Sequence, residues 1–377
     1  MTILTIFFCG TGSTRFDDTN ANYCKGELVS TLAANNEGRE FAEWVIIDGP
    51  GSGNLQDDEL WVKSGEHFDV SGKFLGLGWQ ENIRHAIAIM KGEVNWQREK
   101  LTEKQYETLK KAGVPIQDVE VTGSFFWRHY DYGDRKVTQQ QLQQQIIKIY
   151  RKGQVLPTQV NLVGWSRGGI SCHMLANAML LDPLLNTIPV NIFAIDPVPG
   201  PLNFDSTKTT LGKNVKEYVA FYARDERSKG FTCVIPETAK STAVHVFPMA
   251  GRHATLVGNA AIDGEKGAKL LNEPGTIVRY LAETCLQKWG VKLRNTLNLD
   301  EKLLLKLHQG IKKNEDLYLK MHDLSYSVLT ENDQGERYVS LGRQGVPYSA
   351  ISGGIYTPHS GLASDYLNDT TLYDILK

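Results

Sequence analysis

Asn161-Leu162-Val163-Gly164-Trp165-Ser166-Arg167-Gly168-Gly169 is the stretch on which the fold turns. It places a Gly-x-Ser-x-Gly pentapeptide directly after an apolar run and directly before a long helical pattern. The pentapeptide alone would carry little in a chain with 35 glycines. The strand–turn–helix setting carries more, because a nucleophilic serine is held on a sharp turn of that kind. Such a turn strains the serine backbone, and the flanking glycines leave the room that side chains would fill. The hydroxyl of Ser166 then stands at a helix N-terminus, where backbone N–H groups can stabilise an oxyanion. The competing reading is a glycine-rich phosphate cradle with an incidental serine. Against it, the stretch has neither a Lys-Ser/Thr ending nor Gly-x-Gly-x-x-Gly spacing.

Outward from this turn, short apolar runs recur: Ile3 to Phe8, Trp44 to Ile47, Val119 to Thr122, Val160 to Val163, Val190 to Ile195, Val215 to Phe221 and Val244 to Phe247. Most are continuous and β-branched, as expected of strands covered on both faces of a parallel sheet. Helical patterns lie between them over Leu28 to Glu40, Trp79 to Met90, Thr138 to Tyr150 and Gly169 to Leu181. The alternation predicts an α/β-hydrolase fold with a mostly parallel central sheet flanked by helices. The predicted catalytic unit is 1–290, with a polar and aromatic insertion over about 91–137 that caps the sheet edge. Residues 291–377 read as a helical and irregular C-terminal extension packed on that unit, with helices over Leu297 to Leu307 and Asp316 to Leu324.

The chain has 377 residues, 41% hydrophobic and 22% charged, enough for a large core. A net charge of −2 from 41 basic and 43 acidic residues, with no basic stripe, argues against nucleic acid as a partner. Five widely spaced cysteines with no Cys-x-x-Cys pair suggest neither a disulfide framework nor a zinc site. The N-terminus lacks a basic leader and its apolar run is short. The expectation is synthesis in the cytoplasm without a cleavable signal peptide, any export using a specialised secretion system.

A serine needs a base to take its proton, and in this fold histidine follows the nucleophile and the acid in the chain. His253 stands in a glycine-containing loop after the run ending at Phe247, and is favoured over His245, inside a strand, and over His359. His173 lies two turns along the elbow helix and reads as core or surface. Two aspartates follow strands in the right interval, Asp196 before a Pro-rich turn and Asp225 between Arg224 and Arg227. Spacing leaves the choice between them nearly even.

Six segments, in order, resemble those of the bacterial α/β-hydrolase family that includes type VI secretion lipase effectors of the phospholipase type. They are Gly10-Thr11-Gly12, Asp48-Gly49-Pro50-Gly51-Ser52-Gly53, Gly164-Trp165-Ser166-Arg167-Gly168, Ile195-Asp196-Pro197-Val198, Asp225-Glu226-Arg227, and Phe247 to His253. The resemblance implies Asp196 as the catalytic acid, with Asp225 the alternative. There are departures: Cys9 stands where the family has aspartate, the histidine segment is two residues longer, and Ala254-Thr255-Leu256-Val257-Gly258 replaces the family's Asp-Val-Gly-Gly.

The expected chemistry is acyl transfer to water by Ser166, His253 and Asp196. Backbone N–H groups of Arg167 and of the Gly10, Thr11, Gly12 loop hold the oxyanion. Phe125, Phe126, Trp127 and Tyr130 could line an acyl groove or touch a membrane surface transiently, or equally pack the insertion onto the sheet. An ester or lipid substrate is expected, with no cofactor and no metal, since no ligand set has helical spacing. The acid run Gln56-Asp57-Asp58-Glu59 reads as a solvated loop. An acyltransferase with the same triad and a catalytically silent binding module are the other readings, and no motif names a protein partner.

Overall fold

The β-branched runs pair into one sheet. In a computed structural model, which describes residues 2–50, 79–92, 120–122, 129–131, 156–228, 230–259, 270–323, 337–342 and 344–347, six of them are strands. These are β1 (Ile3–Phe8), β2 (Trp44–Ile47), β3 (Gln159–Trp165), β4 (Val190–Ile195), β5 (Val215–Ala223) and β6 (Ala243–Met249). Their spatial order is β6-β5-β4-β3-β1-β2, and every neighbouring pair is parallel. This is an α/β-hydrolase-like architecture with a parallel central sheet, as the alternation predicts.

Both faces are buried because alternate residues of each strand enter different cores. Leu4, Ile6 and Phe8 of β1 join Ile170, Met174 and Leu175 of the helix Arg167–Leu181 and Ile83 of the helix Trp79–Lys91. Phe7 and Cys9 instead join Leu28 and Leu32 of the helix Leu28–Ala34 and Ile277 and Leu281 of the helix Glu273–Lys288. At roughly 1.5–3 kcal/mol per buried aliphatic side chain, these two layers supply the main stabilising force.

The chain winds one way from β1 to β2 and the other way from β3 to β6. The order therefore reverses between the neighbours β1 and β3, the position at whose carboxyl ends open α/β sheets bind ligands. The register pairs Phe8 with Gly164, so the loops leaving β1 and β3 emerge side by side.

Several expectations are corrected. The helix predicted over Leu28 to Glu40 ends at Ala34, because the Asn36 carboxamide accepts from Gly38 N at 2.9 Å and turns the chain. The helix predicted from Leu297 begins at Glu301, where the Asp300 side chain caps Leu303 N at 2.7 Å. That predicted from Asp316 to Leu324 is a helix over Glu315–Lys320 and a 3-10 turn over Met321–Asp323. The C-terminal extension, expected to be helical and irregular, also forms strands. Tyr338–Leu341 pairs antiparallel with Gln344–Pro347 and parallel with Cys233–Ile235. Of the insertion, Glu120–Thr122 and His129–Asp131 form an antiparallel pair. Phe125, Phe126, Trp127, the Thr138 to Tyr150 helix, Gly51 to Gly53, Gln56 to Glu59 and His359 lie outside the described residues. Among the described residues no helix is long and apolar enough to cross a membrane.

Glu27 caps the helix Leu28–Ala34, accepting from Val29 N at 2.9 Å and Ser30 N at 2.8 Å. Burial outweighs these bonds and pushes its pKa up to about 7. A raised carboxyl pKa contributes stability that is full below the unfolded value, about 4.3, and is lost as pH rises through the folded one. The thermal midpoint is therefore expected to fall between about pH 4.5 and pH 7.5, and Glu27→Gln to lose that component of the slope. Calorimetry across this range checks it, and an unchanged slope in the variant would contradict it.

Candidate active site

Ser166 links β3 to the helix Arg167–Leu181 with φ 56° and ψ −129°, a conformation that costs a non-glycine residue roughly 1–3 kcal/mol. Two glycines make room for it. A Cβ on Gly164 would meet Gly168 O at 2.3 Å, and one on Gly168 would meet Phe8 O at 2.2 Å. The helix can thus lie directly against the end of β1, and Ser166 N donates to Ile195 O at 3.0 Å.

Asp196 leaves the end of β4 with φ 40° and is fully buried. Its Oδ2 lies 2.6 Å from Nδ1 of His253, and its Oδ1 accepts from Ala223 N at 3.0 Å. Burial acts to raise its pKa, but the Arg337 guanidinium and the His253 hydrogen bond outweigh that and hold it at about 2. An ionised carboxylate only accepts, so Nδ1 of His253 must carry the proton in this pair. In the neutral ring that leaves Nε2 as the basic nitrogen.

His253 starts the 3-10 turn His253–Val257 that follows β6. Its ring is flanked by Trp165, centroids 5.0 Å apart, and by Phe231 at 5.1 Å in an edge contact. Trp165 immediately precedes Ser166, so the elbow itself supplies one wall of the histidine's slot. The same indole fills the space a side chain on Gly10 would need, where a Cβ would come within 2.3 Å.

The loop after β1 is tied to the elbow from the other side. Arg167 Nη1 donates to Thr11 Oγ1 at 2.8 Å, and its guanidinium lies 5.8 Å from the Trp79 ring centroid. Burial lowers the Arg167 pKa to about 10. Of the three loop residues expected near the oxyanion, Gly12 donates its N–H to Pro50 O at 3.1 Å. Gly10 and Thr11 remain beside the elbow.

Asp225, the alternative acid, is buried and held by other groups. Oδ2 accepts from Gly251 N at 2.7 Å, and Oδ1 lies 2.9 Å from Nε2 of His322. Glu226 beside it accepts from Ser228 N at 2.6 Å and from His253 N at 3.1 Å. The Asp225-Glu226 pair thus anchors the histidine loop through its backbone, a role not visible in the spacing of charges. His173 is core, its ring nitrogens 2.7 Å from Lys208 O and 3.1 Å from Tyr218 Oη. His245 is half-buried on β6, 3.5 Å from Glu217.

Arg337 is the residue that sequence reasoning missed. It comes from the C-terminal extension, is buried, and grips both Asp196 oxygens, Nη1 to Oδ1 at 2.8 Å and Nη2 to Oδ2 at 2.9 Å. It also donates to Ala223 O and, at 2.7 Å, to Phe231 O. The run Tyr338-Val339-Ser340-Leu341 after Gly335 was the available signal that a strand, and hence a fixed position, follows this arginine.

The sheet and elbow therefore define a chain of α/β-hydrolase-like fold. Comparison with protein-family models and with curated proteins gives no match. Among solved structures, the chain is similar to an uncharacterized protein from Pseudomonas aeruginosa, at 14% identity and TM-score 0.43 over 85% of this chain and 50% of that one. It is also similar to the Tle1 effector bound to the VgrG spike of the Type 6 secretion system, at 12% identity and TM-score 0.32 over 68% of this chain and 50% of that one. The chain thus spans about half the length of each.

The close approach at the elbow can be tested directly. Gly168→Ala sets a methyl group against backbone and is expected to lower stability by about 1–3 kcal/mol. Gly169→Ala meets only the Pro197 ring at 3.0 Å and is expected to do less. Denaturant unfolding of both variants decides it, and equal effects would contradict the geometry.

Proposed function

We propose that this chain is a serine hydrolase that cleaves carboxylic esters through an acyl-enzyme. The observation that carries the reading is the 2.6 Å contact between His253 Nδ1 and Asp196 Oδ2. Trp165, the residue before Ser166, packs 5.0 Å from the same histidine ring, and Ser166 is held at positive φ on a strand-to-helix turn. The contact with Asp196 fixes the ring orientation and leaves Nε2 as the base.

Nε2 of His253 takes the Ser166 hydroxyl proton as Oγ bonds to the ester carbonyl carbon. Asp196 stabilises the resulting imidazolium. The negative oxygen of the tetrahedral intermediate takes hydrogen bonds from Arg167 N, one of the first N–H groups of its helix, and from the Gly10–Thr11 backbone. The C–O bond then breaks, and the imidazolium returns its proton to the departing alcohol. Water, deprotonated by His253, attacks the acyl-enzyme and releases the carboxylic acid and free Ser166. The imidazolium formed from that water proton then protonates Ser166 Oγ as its bond to the acyl carbon breaks, and no cofactor enters.

Lipid esters are the proposed substrate class. Support comes from the aromatic run Phe125, Phe126, Trp127 and Tyr130 in the sequence and from the six segments that resemble phospholipase-type effectors. The same resemblance supports a role as a bacterial effector exported by a specialised secretion system and touching a membrane surface transiently.

Hydrolysis of a short-chain p-nitrophenyl ester and of a phosphatidylcholine dispersion tests the reading. Ser166→Ala and His253→Ala are expected to remove nearly all turnover. Asp196→Asn is expected to lower kcat by about 10³–10⁴-fold, because the amide favours the wrong histidine tautomer. Turnover that survives in Ser166→Ala would overturn the proposal, and a phospholipid left intact by an active esterase would overturn the lipid assignment.

A further inference from the structure

We propose that Arg337 is a positioning residue for the catalytic acid, so that docking of the C-terminal strand Tyr338–Leu341 on Cys233–Ile235 completes the active site. This rests on the reading of Ser166, His253 and Asp196 given above.

The geometry is specific. A planar guanidinium meets both carboxylate oxygens in parallel, the arrangement that fixes a carboxylate in rotation as well as in place. With Oδ1 also held by Ala223 N, Oδ2 is the oxygen presented to His253. The second N–H of Nη1 goes to Ala223 O and that of Nη2 to Phe231 O, and the Phe231 ring is the edge partner of the His253 ring. One side chain therefore holds the acid and the backbone of a residue that walls in the base.

The charge balance depends on it too. Asp196 is 0% exposed, and an isolated carboxylate there would take up a proton rather than remain charged. The charged or titratable groups around the pair are His253 on the turn after β6, Arg337, the Cys233 thiol, and Glu226 on the loop after β5. Among the described residues, Arg337 is the permanent cation that touches the Asp196 carboxylate. Without it Asp196 would protonate at higher pH, and a protonated carboxyl stabilises an imidazolium poorly.

The position is distant in sequence and close in space. Arg337 reaches Asp196 across 141 residues. It immediately precedes the strand whose Val339, Ser340 and Leu341 pair with Cys233, Val234 and Ile235. The partner strand Cys233–Ile235 is itself tied to the acid's loop, since Val234 N donates to Pro197 O at 2.9 Å. Displacing the C-terminal strand would withdraw the guanidinium, and activity would fall without any change at Ser166.

The test uses full-length wild type, Arg337→Met and Arg337→Lys, with kcat/KM for a short-chain ester measured from pH 4 to 9. Arg337→Met is expected to lose about 10- to 100-fold at pH 7, the scale of a misplaced catalytic group, and its acid limb is expected to move up by at least one pH unit. Arg337→Lys, which restores the charge without the fork, is expected to recover the acid limb more than the rate. In parallel, the downfield proton resonance of His253 Nδ1 is followed by NMR, a readout that needs no turnover. It is expected to weaken or shift in Arg337→Met.

If folded Arg337→Met keeps the wild-type pH profile and resonance, the proposal is overturned. Should Arg337→Met fail to fold, a wild-type profile and resonance in Arg337→Lys overturn the fork, and a displaced resonance supports it. If wild type hydrolyses no ester, the hydrolase reading fails, while the resonance still decides whether Arg337 orders the Asp196–His253 pair.

Discussion

The structure depends on how closely the helix that begins at Arg167 can approach the end of β1. Gly168 stands against Phe8 O where a methyl group would overlap backbone, and Gly164 stands against Gly168 O in the same way. With both positions lacking a side chain, the turn between β3 and the helix closes around Ser166 at positive φ. The strain of that conformation is offset by the two apolar layers on the sheet, which fix the strand and the helix independently of the turn. The rest follows from position. The Trp165 ring turns toward His253, and the loop of Gly10 and Thr11 lies alongside because β1 and β3 are neighbours.

A second condition is that each buried acid near the site has partners. Asp196 is gripped by Arg337 and His253, Asp225 by Gly251 N and His322, and Glu226 by Ser228 N and His253 N. Burying carboxylates is unfavourable unless hydrogen bonds or opposite charge replace water. Here that replacement also orders the loops: Asp225 and Glu226 tie the end of β5 to the loop after β6. The histidine is therefore held by its backbone at one end and by its ring at the other.

How much of this could be read from the residues differs by element. Ile3–Phe8, Trp44–Ile47 and Val190–Ile195 are legible to the residue, because a strand buried on both faces is an unbroken apolar run bounded by polar or turn-forming residues. The elbow helix, expected from Gly169, begins two residues earlier at Arg167, while its end at Leu181 is legible. The end of the helix Leu28–Ala34 is not, since Asn36 stops it through a side-chain hydrogen bond that periodicity does not register. Within the site, Ser166 and His253 stand out because each follows a strand, whereas Asp196 is set apart from Asp225 only by the resemblance. Asp225 pairs with the flanking Arg224, but its further partners, Gly251 N and His322, lie far along the chain and are not legible in its neighbours. Arg337 is invisible for the same reason, as nothing in its neighbours points across 141 residues to Asp196.

The central claim is that Ser166 is an activated nucleophile, and covalent capture tests it most directly. The folded protein would be incubated with a fluorophosphonate, digested, and mapped by mass spectrometry. The account requires one phosphonyl adduct, on the peptide containing Gly164-Trp165-Ser166-Arg167, and no adduct on that peptide after His253→Ala. A folded protein that takes up no label, or takes it up at another residue, would contradict it.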